Sequence, residues 1–228
     1  AELDSLLGIV PGIAHGAAGN AERHRRNLQL FDVEAGADAL LPPQPQACLA
    51  SDSFADACVG HVLDALEKSR YRDNTIIVLW GDHGYDIGEK KIGKSALWEQ
   101  TTRTPLIIHV PEKLRDKSWN SAVATCNRPV SLLDMYPTLI ELCGLPRNEK
   151  IEGRSIAPLV RNPEAKWPYP ALITHSPHSH GFNHAVRSER WHYIRYADGG
   201  EELYNMSKDP HQWTNLAGRS DMASVRSE

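Results

Sequence analysis

The chain has 228 residues, 41% of them hydrophobic, and a formal net charge of −4. This acidic balance argues against a nonspecific nucleic-acid binder, which needs a basic surface. The mean hydropathy is −0.45, and no apolar run approaches the roughly 20 residues that a membrane-spanning helix needs. The four cysteines lack CxxC spacing, which argues against a zinc knuckle, and so few cysteines in so long a chain exclude a dense disulfide framework. No leader pattern is visible, and the cellular compartment stays unknown.

The first part of the chain predicts a connection followed by a helix. Residues 1–47 are rich in Gly, Ala and Pro, and the prolines at 42–45 predict a stiff extended stop. From residue 51 to residue 70, apolar side chains recur at spacings of three and four. This spacing predicts an amphipathic helix, whose apolar positions are Phe54, Cys58, Val62, Ala65 and Leu66.

Two unbroken apolar runs, at 75–80 and 105–110, predict strands buried on both faces, as in a parallel sheet. A second helix is predicted over 131–143, with Gly144 as its natural stop. The order helix, strand, loop, strand, helix predicts an α/β fold with a mostly parallel sheet and flanking helices. Residues 48–150 would form this core.

The pattern changes after residue 151. Short strands are predicted at 171–174, at 201–204, and as a pair within 184–196 that surrounds a turn at 188–190. These strands predict a small antiparallel subdomain over residues 151–228. The expected division is therefore 1–47, 48–150 and 151–228.

The sequence Gly81-Asp82-His83-Gly84 follows the first predicted strand. Ligands of parallel α/β sheets bind beyond the carboxyl ends of the strands, where this segment would lie. An adjacent carboxylate and imidazole between glycines can offer both groups to one cation. The alternative is a structural turn in which the aspartate caps the next element.

A polar loop with three lysines comes next, at residues 88–94. Lys94 lies between a glycine and an apolar segment, so it is the lysine expected to point inward and to bind an anion as a point charge. Lys90 and Lys91 are predicted to be solvated. The alternative is that the whole cluster is solvated.

At this point the chain resembles the sulfatases of the alkaline phosphatase superfamily. The stretch DNTIIVLWGDHGYDIGEKKIGKSALWEQTTRTPLIIHVPE resembles their second metal-and-sulfate segment. The flanking segment RPVSLLDMYPTLIELCGLP and the ending HAVRSERWHYIRYADGGEELYNMSKDPHQWTNLA extend the resemblance over about residues 48 to 217. The iduronate-2-sulfatase and choline-sulfatase branches look most similar, because His83 rather than Asn follows Asp82.

The resemblance implies an alkaline-phosphatase-like fold and assigns roles to individual residues. Asp82 and His83 would bind a divalent cation, usually calcium, and His83 could also contact the sulfate. Lys94 would bind a sulfate oxygen and stabilise the charge that grows there in the transition state. The loop is one residue shorter than the family pattern, so Lys91 is the alternative lysine. Arg103 is expected to hold the loop.

The resemblance also implies residues that this sequence does not contain. The family nucleophile is a formylglycine made from Cys or Ser in C/S-x-P-x-R, and neither this motif nor the paired aspartates that complete the metal site are found. The chain is therefore expected to be the C-terminal half of a sulfuric ester hydrolase, inactive without its N-terminal half. One alternative is a noncatalytic remnant that binds a sulfated or phosphorylated ligand. Another is a phosphonate or phosphate monoester hydrolase.

Four histidines, at 175, 178, 180 and 184, lie in one segment. Their loose spacing is typical of an irregular surface loop, and a zinc site would need a second cluster to close the coordination. In related sulfatases this loop contributes to the substrate pocket. His178 is therefore a candidate substrate contact.

Overall fold

The computed structural model describes residues 43–90, 92–119, 125–176 and 181–227. Their contacts form two compact units. One contains the residues up to Leu79 together with Leu106–Thr125, and the other contains Trp80–Pro105 with Cys126–Glu228. The Gly-Asp-His-Gly segment therefore belongs to the same unit as the C-terminal strands, and the unit boundaries differ from the predicted domain boundaries at residues 47 and 150.

Helix α1 spans Pro43–Glu67, which confirms a helix in this region but moves its start. The extended stop expected at the prolines is wrong from Pro43 onward, because the helix already begins there. The first helical N–H groups have no intrahelical acceptor, so prolines in the first turn cost the helix no hydrogen bond. The apolar face is exposed, with Phe54 at 73% and Val62 at 69%. Residues 1–42 lie outside the described segments.

Both predicted apolar runs form strands. Strand β1 is Ile77–Trp80 and β4 is Leu106–His109, and the two pair in a sheet. The expectation that both are buried on two faces is wrong for β1, whose first three residues are half-buried and whose Trp80 is 49% exposed. β1 pairs with β4 alone among the described strands, and this leaves part of its surface uncovered. The chain has an α/β fold, and its mostly parallel sheet stays a prediction.

Between these strands lie the hairpin of β2, Asp86–Ile87, and β3, Ile92–Gly93, and the short helix α2, Glu99–Thr102. The hairpin is antiparallel, with Asp86 opposite Gly93. Its turn is stabilised by Asp86, which is fully buried. The Oδ1 atom of Asp86 accepts hydrogen bonds from the backbone N–H groups of Gly88 and Lys90, at 3.1 and 3.4 Å.

Helix α3, Met135–Leu142, follows a 3₁₀ turn at Leu132–Asp134. Its predicted stop is confirmed: Gly144 has a φ of +64°. The backbone N–H of Gly144 bonds to the carbonyl of Glu141 and that of Leu145 to the carbonyl of Ile140. This is the Schellman ending, in which glycine adopts the left-handed conformation without a steric penalty. Helix α4 is Ala157–Arg161.

The C-terminal strands form a four-stranded antiparallel sheet in chain order, which confirms the antiparallel strands predicted after residue 151. The strands are β5 Ala171–His175, β6 Asn183–Arg187, β7 Trp191–Arg195 and β8 Glu201–Asn205, and helix α5 is Ala223–Ser227. The core on this sheet contains Leu97, which lies between β3 and α2, together with Ala185, Ile194, Tyr204 and Met206. None of the helices in the described part is long and apolar enough to cross a membrane.

Candidate functional site

The loop that follows β1 is fixed at both ends on the segment 101–105. The N–H of Gly81 donates to the carbonyl of Pro105 at 3.2 Å, and the N–H of Gly84 donates to the carbonyl of Thr101 at 2.9 Å. A Cβ at Gly84 would lie 2.0 Å from the carbonyl oxygen of Gln100. This loop therefore needs a residue without a Cβ at position 84.

Asp82 and His83 lie together on this loop. The N–H of His83 donates to Asp82 Oδ1 at 3.0 Å, and His83 Nδ1 lies 2.8 Å from the carbonyl oxygen of Gly84. A carbonyl can only accept, so Nδ1 carries the hydrogen. The other ring nitrogen, Nε2, lies 3.4 Å from Asp82 Oδ2. The Asp82 side chain is 84% exposed, so the carboxylate is open to a ligand.

This geometry fits two members of a cation site. A histidine that binds a metal through one ring nitrogen commonly donates the other N–H to a backbone carbonyl, as His83 does to Gly84. When Nε2 is unprotonated, it and Asp82 Oδ2 form a pair of neighbouring electron donors. When Nε2 is protonated, the same two side chains form an ion pair.

The described residues do not complete such a site. Calcium takes six to eight ligands, mostly oxygens, and no group of three or more His, Cys, Asp or Glu in the described segments could hold a metal ion. The neighbouring acidic residues are engaged locally: Asp86 is buried in its turn, and Glu89 Oε2 accepts the N–H of Ile87 at 3.1 Å. Asp82 and His83 therefore fit a cation site that further ligands must complete.

Lys94 directly follows β3 and is exposed. Because Gly93 pairs with Asp86, extending the hairpin by one residue places Lys94 opposite Tyr85, two positions after His83. No hydrogen bond or ion pair joins the Lys94 ammonium to another residue of the described segments. Its convergence with Asp82 and His83 stays a prediction. Lys91, the alternative lysine, lies outside the described residues.

Lys90 is half-buried rather than fully solvated, and the expectation from the sequence is wrong here. Its Nζ donates to the hydroxyl of Tyr204 at 3.0 Å and lies 4.5 Å from the ring centroids of both Trp98 and Tyr204. Ring faces and a hydroxyl replace water around the ammonium. Desolvation lowers the pKa of Lys90 below its ordinary value, and nearby carboxylates, chiefly Glu202, oppose this shift.

Glu202 joins the aromatic residues around Lys90. Its Oε2 accepts hydrogen bonds from Trp98 Nε1 at 2.7 Å and from the Tyr204 hydroxyl at 2.6 Å, and its Oε1 accepts from the Tyr196 hydroxyl at 2.9 Å. Burial, together with the Glu202 carboxylate, raises the pKa of both tyrosines well above the usual range. Both hydroxyls therefore stay protonated donors. This cluster was not predicted from the sequence, although Glu202 and Tyr204 lie two apart on a strand and therefore share one face.

A second polar cluster lies around Glu99. Its carboxylate accepts from Arg187 Nε at 2.9 Å, and its N–H donates to Gln212 Oε1 at 2.6 Å. The amide nitrogen of Gln212 thus donates to His192 Nδ1, at 3.0 Å. Burial lowers the pKa of His192 from 6.5 to about 4. The ring is neutral at pH 7, and its 3.7 Å approach to Glu99 is not an ion pair.

The remaining predicted residues are Arg103 and the histidines of the segment 175–184. His178 lies outside the described residues. His184, on β6, has its Nδ1 3.1 Å from Thr174 Oγ1. Arg103 is exposed, and the loop is held through backbone atoms of its neighbours in 101–105.

Comparison with known proteins gives the class of the chain. The family model described as Sulfatase matches residues 20–145. The chain is 42% identical over 173 residues to a sulfatase of Formosa agariphila, covering 75% of this chain and 32% of that protein. It is 32% identical over 180 residues to the choline-sulfatase of Rhizobium meliloti, covering 75% and 33%.

A solved structure of a protein in complex with its substrate D-glucosamine-2-N,6-O-disulfate is also similar. It superimposes with a TM-score of 0.64 at 26% identity, covering 78% of this chain and 37% of that chain. The chain belongs to the sulfatase family. It spans about a third of the length of the curated relatives it matches.

Proposed function

We propose that this chain supplies the C-terminal part of a sulfuric ester hydrolase, in which Asp82 and His83 bind a divalent cation and Lys94 binds the sulfate group. The observation that carries the proposal is the arrangement of Asp82 Oδ2 and His83 Nε2, 3.4 Å apart on a loop fixed at both ends. Membership of the sulfatase family supports the substrate class.

The chemistry assigned to this chain is electrostatic. Negative charge grows on the sulfate oxygens as the S–O bond to the leaving alcohol breaks, and a fixed ammonium stabilises that charge more in the transition state than in the substrate. Lys94 would provide the ammonium, and His83 a further polar contact. A bound cation would add positive charge beside the same oxygens.

The remaining parts of the proposal concern the whole protein. The nucleophile, a formylglycine, and the carboxylates that complete the cation site would come from the N-terminal half. Calcium is the proposed cation, although its preference for oxygen makes the imidazole of His83 an unusual ligand. Asp82 followed by His83 supports a place near the choline-sulfatase and iduronate-2-sulfatase branches. A mostly parallel core sheet would form once β1 and β4 gain further strands.

A chimera tests this proposal. The part of the Formosa agariphila sulfatase that matches this chain would be replaced by the corresponding residues of this chain, and hydrolysis of 4-nitrophenyl sulfate would be measured with and without a calcium chelator. We expect turnover that the chelator removes. Asp82→Ala should lower kcat by at least a hundredfold, whereas the control Glu152→Ala, at an exposed position, should leave it unchanged.

The same chimera separates the competing functions. Hydrolysis of a phenylphosphonate monoester in preference to the sulfate ester would overturn the proposed substrate. A folded chimera that binds sulfate without turnover, beside an active parent, would indicate a noncatalytic remnant.

A further inference from the structure

Lys94 lies at the centre of a segment that is attached to the C-terminal sheet on both sides. Lys90 comes four residues before it and Trp98 four residues after it. Both reach β8: the Lys90 ammonium through the Tyr204 hydroxyl at 3.0 Å, and the Trp98 indole N–H through Glu202 at 2.7 Å. The Tyr204 hydroxyl also donates to Glu202 at 2.6 Å, so the two attachments meet at one carboxylate.

We propose that Lys90 is a positioning residue: its ammonium fastens the segment 90–98 to β8 and thereby sets the place of Lys94. Only the role of Lys94 in sulfate binding rests on the proposed function. The contacts of Lys90 are with protein atoms alone. Lys90 itself does not bind substrate, since Tyr204 and two ring faces occupy its ammonium.

The chemistry of the cluster favours a fixed geometry. Glu202 accepts three hydrogen bonds, from Trp98, Tyr204 and Tyr196. Lys90 supplies a positive charge near this half-buried carboxylate, and opposite charges attract more strongly in a partly buried site than in bulk water. A hydroxyl that accepts from an ammonium while donating to a carboxylate has one orientation, so the ring of Tyr204 is held in place. Leu97, in the same segment, packs into the core of the sheet and adds an apolar contact that holds the segment on the sheet.

Three variants of the 228-residue chain test the role of Lys90. Lys90→Met keeps an unbranched side chain of nearly the same length and removes its charge, Lys90→Arg keeps the charge and the donor, and Lys208→Met is the control at an exposed lysine. Amide hydrogen exchange of the peptide 92–98 would be measured by mass spectrometry. Sulfate affinity would be measured in parallel by NMR titration with sodium sulfate.

We expect Lys90→Met to speed exchange over 92–98 at least tenfold and to weaken sulfate binding at least fivefold. Lys90→Arg should return both quantities to within about threefold of the native chain, and Lys208→Met should change neither. A merely structural lysine would alter exchange without altering sulfate affinity. If the native chain binds sulfate through Lys94, unchanged sulfate affinity in Lys90→Met would overturn the proposal, and so would unchanged exchange in Lys90→Met.

The design keeps the two proposals distinguishable. If the native chain binds no sulfate, the function assigned to Lys94 fails, and the exchange data with rescue by arginine still decide whether Lys90 fixes the segment. If Lys90→Met does not fold, acetylation rates in the native chain replace it. Lys90 should react at least tenfold more slowly than Lys94, and equal rates would contradict the enclosed ammonium.

Discussion

Helix α1 and the C-terminal sheet both carry apolar side chains at the spacing of their elements, yet only the sheet buries them. Phe54 and Val62 on the helix are mostly exposed, whereas Ile194 and Leu203 on β7 and β8 are fully buried. The face of the sheet that carries Ile194 is covered by another segment of the chain, which includes Leu97. The chain spans about a third of its relatives, and the helix face has no comparable cover among the described residues. Correct periodicity therefore produces a core only where a second layer exists.

The largest effect on the free energy of unfolding is expected from substitution of Leu203. Leu203→Ala should lower the free energy of unfolding by about 2–5 kcal/mol, because it leaves a cavity at a fully buried position. Leu172→Ala, at an exposed position of β5 on the same face of the sheet, and Val62→Ala on α1, should each stay within about 0.5 kcal/mol. Urea denaturation measures all three. A loss of 2 kcal/mol or more in Val62→Ala would show that the α1 face is covered in the isolated chain.

The buried His192 predicts that the stability of the sheet depends on pH. Its pKa is about 4 in the folded chain and near 6.5 when unfolded, so the unfolded chain binds more protons between these values. The free energy of unfolding should therefore fall as the pH drops from 6.5 to 4, by about 3 kcal/mol in full. Glu99, Arg187, Glu202 and Lys90 also act on this ring.

The measurement is the urea midpoint from pH 7 to pH 4.5 in the native chain and in His192→Gln. The variant should lose most of this pH dependence, whereas His211→Gln, at an exposed histidine, should keep it. Equal slopes in the native chain and His192→Gln would mean that His192 is not held neutral by burial.

A smaller effect is expected where the site loop packs on the segment 101–105. Gly84→Ala should cost about 1–3 kcal/mol, because its Cβ would lie within 2.6 Å of two backbone carbonyl oxygens, which must move. Gly60→Ala inside α1 meets nothing within 4 Å and should stabilise the chain by about 0.5–1 kcal/mol. Thermal unfolding of the two variants in parallel checks the sign. A neutral Gly84→Ala would show that the loop is loosely held.

The sequence predicted the local structure well because its causes are local. The apolar runs at 75–80 and 105–110 became β1 and β4, and Gly144 ended α3 as expected. The prolines at 43 and 45 were wrongly predicted to form an extended stop. Proline is tolerated in the first turn of a helix and breaks a helix only further inside. The position of a proline along the helix therefore decides its effect, and residue type alone does not.

The contacts around the site were harder to predict because their partners are distant in the chain. Lys90 lies 114 residues from Tyr204, and Trp98 lies 104 from Glu202. A lysine in a run of polar residues is expected to be solvated, and the contact of Lys90 with Tyr204 of β8 cannot be predicted from its sequence neighbours. The predicted burial of β1 is wrong for a related reason, because burial depends on neighbours and β1 pairs with β4 alone among the described strands.

The central claim is that Lys94 is the lysine that stabilises the sulfate, and a comparison of two lysines tests it most directly. In the chimera with the Formosa agariphila sulfatase, kcat for 4-nitrophenyl sulfate would be measured for Lys94→Ala and Lys91→Ala. We expect Lys94→Ala to lower kcat by about 10²–10³-fold, the cost of losing one charge-stabilising donor, and Lys91→Ala to stay within about threefold of the parent chimera. The reverse order, with Lys91→Ala inactive and Lys94→Ala near normal, would contradict the account.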